Sequence, residues 1–116
     1  MMSIKAGTIT INVRDLDKSI SFYESLGLTL KQRWGEHYAE LSSPGLTIGL
    51  HPSKEVNSQV GSGNVSIGFT MDNFDETKSL LKKLAIEVTE RKEAGGEFFH
   101  FKDPDGSALY FIKPKW

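Results

Sequence analysis

No cysteine occurs among the 116 residues, which excludes a disulfide framework, an iron–sulfur cluster, a thiolate zinc site and a cysteine nucleophile. The absence agrees with a reducing compartment. An excess of one charge sign is lacking as well: 14 Lys and Arg stand against 15 Asp and Glu, a formal net charge of −1. No basic face or like-charge block advertises a nucleic-acid or lipid surface, so nucleic acid is not an expected partner. Long apolar runs are missing too, and nothing approaches the roughly 18 residues that span a bilayer. The opening Met1-Met2-Ser3-Ile4-Lys5-Ala6-Gly7 carries no apolar leader core. These features describe a soluble, cytoplasmic protein, and the length suits one domain of residues 1–116 around one core.

What is present is periodic. Thr8 to Val13 alternates polar and apolar residues, placing Ile9, Ile11 and Val13 on one strand face. Asp15 can cap a helix whose stripe is Leu16, Ile20, Tyr23 and Leu26, with Gly27 as a left-handed stop. Strands are expected at Leu28 to Trp34, Tyr38 to Leu41 and, after the Pro44-Gly45 turn, Leu46 to His51. The unit reads β-α-β-β-β over about residues 7–52. Residues 53–63, rich in Ser, Asn, Gln and Gly, read as an exposed linker.

The same pattern then returns over about residues 64–114. A shift of 58 residues carries Thr8 to Ser66, Ile11 to Phe69, Leu16 to Phe74 and Leu26 to Leu84, polar onto polar and apolar onto apolar. Asn73 with Glu76 forms a potential capping box, and Phe74, Leu80, Leu81 and Leu84 make the helix stripe. Ile86 to Thr89, Phe98 to Phe101 and Ala108 to Ile112 are the expected trailing strands, with Glu87 to Glu97 a solvated hairpin or, through Gly95-Gly96, a lid. The fold class is therefore α+β: two tandem modules forming a curved mixed sheet around a cleft, since one helix cannot cover both faces of four strands. The expected core includes Ile9, Ile11, Val13, Leu16, Ile20, Leu26, Ile67, Phe69, Leu84, Leu109 and Phe111.

Strand parity names what faces away from the helices. The cleft set is Thr8, Thr10 and Asn12 with Ser66, Gly68 and Thr70; Thr47, Gly49 and His51 with Ala108, Tyr110 and Ile112; and Tyr38 and Glu40 with Phe98 and His100. Trp34, Tyr38, Phe98 and Tyr110 form an aromatic box suited to a planar ligand, or pack as core or interface. Glu40 and His100 are the candidate catalytic pair, a carboxylate able to orient an imidazole; the alternative is an imidazole that satisfies a hydrogen bond at the rim. His37 falls nearer a hairpin tip, and Lys115 and Trp116 read as a fraying end.

The run Val13-Arg14-Asp15-Leu16-Asp17-Lys18-Ser19-Ile20-Ser21-Phe22-Tyr23 with Leu26-Gly27, the opening Met71-Asp72-Asn73-Phe74, and Phe101-Lys102-Asp103-Pro104-Asp105-Gly106 together resemble the vicinal-oxygen-chelate superfamily of glyoxalases, bleomycin-resistance proteins and extradiol dioxygenases. The resemblance covers nearly the whole chain. It implies a first-strand and a last-strand metal ligand in each module, and those places hold Thr8, Gly49, Ser66 and Tyr110, a poor set for a divalent metal. Sliding the strand that carries Gly49 would bring His51 into play. No metal or other cofactor is expected. The resemblance also implies a homodimer that holds a small organic molecule, as drug-sequestering members do. The alternative is a lyase or dioxygenase-type enzyme with displaced ligands, or one using Glu40 and His100 without metal.

Overall fold

The computed structural model describes residues 2–54, 65–93 and 95–114, divided between two compact units of residues 1–58 and 59–116. Most of the expected linker, with Lys115 and Trp116, lies outside the described residues.

The first unit runs β1 (Ile9–Val13), α1 (Leu16–Ser25), β2 (Thr29–Trp34), β3 (Tyr38–Ser43) and β4 (Leu46–Pro52). Its four-stranded sheet has the order β1-β4-β3-β2, parallel between β1 and β4 and antiparallel elsewhere. Asp15 starts α1 by accepting the Lys18 N–H at 3.0 Å. The helix stops where the Leu28 N–H reaches Tyr23 O and the Gly27 N–H reaches Glu24 O, a Schellman closure with Gly27 at φ 112°. Helix α1 packs on β2, β3 and β4, burying Leu16, Ile20 and Tyr23 against Ala39, Leu41, Ile48 and Leu50. Ser19 is also buried, a side chain short enough to let the helix approach the sheet. Arg33 of β2 binds Asp17 of α1 at 2.7 Å and Glu36 at 3.1 Å. The Asp17 hydrogen bond, aided by both carboxylates, raises the guanidinium pKa further above its already high value.

The second unit repeats the plan with β5 (Ile67–Thr70), α2 (Phe74–Lys83), β6 (Thr89–Glu93), β7 (Gly96–Lys102) and β8 (Ala108–Pro114), in the sheet order β5-β8-β7-β6. Asn73 accepts the Glu76 N–H at 3.0 Å, and Thr77 occupies the buried place of Ser19. The core chemistry changes between the units. Ile11, Leu16, Ala39, Leu41 and Leu50 of the first correspond to Phe69, Phe74, Phe99, Phe101 and Phe111 of the second. Phe74 stacks on Phe99 with centroids 4.0 Å apart, and Phe111 meets Phe101 and Phe69 at 4.9 and 6.0 Å. The turn at 103–106 is built on Asp103, whose carboxylate accepts the N–H groups of Asp105 and Ser107 at 2.9 and 2.8 Å.

Three expectations need correction. Strand β6 begins at Thr89 rather than Ile86, because the Ile86 N–H closes α2 on Leu81 O and is not available to a ladder. Ile9 is 41% exposed. It opens the edge strand of its sheet. Phe69, also on an edge strand, and Leu84, at the cap of α2, are half-buried. Thr8 and Ser66 each precede their strand by one residue.

Candidate functional site

Each sheet presents one face to its helix and the other away from it, and the ladder registers fix which residues share the second face. In the first unit Gly49 pairs with both Thr10 and Glu40, and Glu40 pairs with Gln32, so these four form one row across all four strands. The neighbouring positions are Asn12, paired with His51, and Tyr38, paired with Trp34. Tyr38 folds back along this face. Its hydroxyl lies 3.3 Å from Thr10 Oγ1, and its ring end occupies the space that a side chain at Gly49 would take. Trp34 continues the aromatic surface, its ring 5.4 Å from that of Tyr38 and inclined by 40°.

The second unit forms the corresponding row from Gly68, Tyr110, His100 and Thr89. Here the tyrosine stands on the closing strand and the glycine on the first strand, whereas in the first unit the tyrosine stands on β3 and the glycine on the closing strand, yet the result is alike: the Tyr110 ring lies across Gly68. Phe98, His100 and Tyr110 make a triangle of rings with centroids 5.8 to 6.0 Å apart, and all three are half-buried. The glycines carry the signal that sequence parity leaves unread, since a glycine inside a strand often marks the close approach of another group. Gln32 and Thr89, which end the two rows, are absent from the candidates that the sequence supplies.

Thr8, Thr10, Asn12, His51 and Ser66 are exposed, while Tyr38 and Glu40 are half-buried. Glu40 and His100 stand in different units, each in the middle row of its own sheet. The residues at the places of the implied metal ligands do not fit a divalent ion. Gly49 offers no donor and Tyr38 holds its side-chain space; Thr8 and Ser66 offer neutral hydroxyls; Tyr110 is a phenol laid over Gly68. Among the described residues no group of three or more His, Cys, Asp or Glu side chains is arranged to hold a metal. Nor, among them, is any helix long and apolar enough to cross a membrane.

The family model described as Glyoxalase/Bleomycin resistance protein/Dioxygenase superfamily matches residues 5–111. The metallothiol transferase FosB of Lysinibacillus sphaericus (strain C3-41) is 31% identical over 110 residues, which span 89% of this chain and 77% of that protein. Among solved structures, the genomically encoded fosfomycin resistance protein FosX of Listeria monocytogenes gives a TM-score of 0.80 at 20% identity, covering 98% of this chain and 96% of that one. A bleomycin-binding protein complexed with bleomycin gives 0.75 at 20% identity, covering 97% of this chain and all (100%) of the other. Those two structures speak for the fold alone. The family model and the FosB relative go further: the chain belongs to the glyoxalase/bleomycin resistance protein/dioxygenase superfamily.

Proposed function

We propose that this member of the superfamily is a small-molecule-binding protein, in which the sheet faces away from the helices hold a planar or amphipathic organic compound without a metal ion. The observation that carries the reading is the pair of tyrosines laid over glycines, Tyr38 on Gly49 and Tyr110 on Gly68. Two places where relatives would present metal donors thereby become aromatic surface, flanked by Trp34 in one unit and by Phe98 and His100 in the other. Such surfaces favour flat ligands, each stacked ring adding about 0.5–1.5 kcal/mol beyond area burial. Thr10, Asn12, Glu40, His51 and Ser66 supply the polar contacts, and the working form is a homodimer.

The test is a thermal screen of aromatic metabolites and antibiotics. A compound at 100 times its Kd stabilises the native state by about 2.7 kcal/mol, which raises Tm by roughly 10 °C in a chain of this length. Tyr110→Ala is expected to abolish the shift and leave the unliganded Tm nearly unchanged. An early-melting Tyr110→Ala variant that still binds would show that the ring is packing and not a contact.

The second reading is an enzyme, and it is favoured by the likeness to the FosB transferase. In that case the chemistry runs through Glu40 and His100, or through an unusual metal site that includes them or His51. Elemental analysis of protein purified without chelator separates the two. A stoichiometric divalent metal that survives dialysis and is lost in Glu40→Gln or His100→Ala would overturn the metal-free binding reading.

A further inference from the structure

Glu40 is a half-buried carboxylate that makes no hydrogen bond or ion pair with any described residue. Its surroundings on the sheet face are specific. Its ladder partner Gly49 has no side chain, and the space above Gly49 is filled by the end of the Tyr38 ring, so Glu40 and that ring share one face of the sheet. Trp34 extends that ring surface. The ladder-paired positions around Glu40 are Thr10, Gly49, Gln32, Asn12, His51 and Trp34, none of them a lysine or arginine; Lys31 occupies the bulge of β2 beside Gln32 and makes no ion pair with Glu40. A half-buried carboxylate that shares its sheet face with the Tyr38 and Trp34 rings, and has no lysine or arginine among its ladder partners, favours a cation as its partner.

We propose that the face of the first unit selects a cationic ligand: a planar amidinium, a guanidinium or a protonated aromatic amine, with its charge on Glu40 and its flat part against Tyr38 and Trp34. The inference rests on the reading of this face as a small-molecule surface and adds the charge of the molecule. Glu40 is then a specificity residue. A carboxylate gains most from a donor that can pair with both oxygens, which a planar amidinium does, while the two aromatic rings attract the same cation through their quadrupoles. An anionic ligand of the same shape meets repulsion at Glu40 and loses both terms.

Three probes of nearly one shape decide the matter: benzamidinium, benzamide and benzoate, titrated into the full chain at constant ionic strength. The Trp34 indole N–H and Tyr38 ring signals are followed by NMR. Benzamidinium should bind about tenfold more tightly than benzamide, with benzoate weakest and the preference shrinking as salt rises. Glu40→Gln, which keeps the side-chain size, should remove the tenfold preference for benzamidinium over benzamide. Trp34→Ala should weaken both. Equal binding of the three probes, or a cation preference that persists in Glu40→Gln, would overturn the inference and leave the aromatic surface standing. If no probe moves the Trp34 or Tyr38 signals, the small-molecule reading of this face falls with it.

Discussion

Tyr110 lies so close over Gly68 that a Cβ at residue 68 would overlap the hydroxyl end of its ring. The atoms in the way are Cζ, Cε2 and the hydroxyl, the free end of a half-buried side chain that can rotate aside. Gly68→Ala should therefore cost little stability, under about 1 kcal/mol, because the ring moves and the backbone does not. Ligand binding through Tyr110 should weaken at the same time. In the native protein the ring current should shift the Gly68 α-protons upfield, and a normal α-proton shift there would contradict the packing.

Gly96 is the opposite case. It opens β7 at φ 145°, and a Cβ there would collide with the Lys113 carbonyl oxygen on the paired strand β8. Neither obstacle can swing away, since one is backbone and the other is a conformation that L-residues avoid. Gly96→Ala should cost more than about 2 kcal/mol in denaturant unfolding, several times the effect of the same change at Gly68. Equal costs at the two sites would mean that the β7–β8 register is wrong at its Gly96 end.

Ala85 holds at φ 56° the place that Gly27 holds at 112° in the first unit. Both helices end in the same closure, with Ile86 N–H to Leu81 O and Ala85 N–H to Lys82 O repeating the bonds of Leu28 and Gly27. Only the second pays for it with a side chain in the left-handed region. Ala85→Gly should raise stability by about 1 kcal/mol, a gain of a few degrees in Tm. Gly27→Ala should lose a similar amount, and failure of the two to oppose each other would remove the shared closure as the cause.

Much of this fold is legible in the sequence because each unit obeys one period at a time. Asp15 and Asn73 cap where the apolar stripe begins, and alternation along Tyr38 to Leu41 separates Ala39 and Leu41 from Tyr38 and Glu40. That alternation assigns each residue to a sheet face, so which residues share a face with Gly49 and with Tyr110 is legible before any coordinates. Two things are not. Ile86 to Thr89 alternates like a strand, but the backbone donor at Ile86 is committed to the helix end, a competition that side-chain pattern cannot reveal. The direction in which Tyr38 and Tyr110 lean is set by rotamers over glycines on neighbouring strands, which parity places on a face without saying what they cover.

Lys78 of α2 and Glu90 of β6 pair at 3.1 Å, both more than half exposed, and they tie helix to strand as Asp17 and Arg33 do in the first unit with the charges exchanged. The helix position itself differs. Lys78 corresponds to Ile20, which is buried at 6% exposure, and beside Lys78 a groove of about 210 Å³ runs along α2 over Leu81, Ile86, Val88 and Phe99. An exposed pair contributes at most about 1 kcal/mol, and less as salt rises. Burying a branched aliphatic side chain contributes about 1.5–3 kcal/mol. Lys78→Ile should therefore stabilise the protein by about 1 kcal/mol, by filling the groove with a side chain of the kind buried at Ile20, and the gain should grow with salt as the lost pair matters less. Glu90→Gln isolates the pair: it should cost a few tenths of a kcal/mol at low salt and nothing at high salt. A Lys78→Ile variant less stable than the native protein at every salt concentration would show that the groove does not accept the side chain and that α2 is held to β6 chiefly by charge.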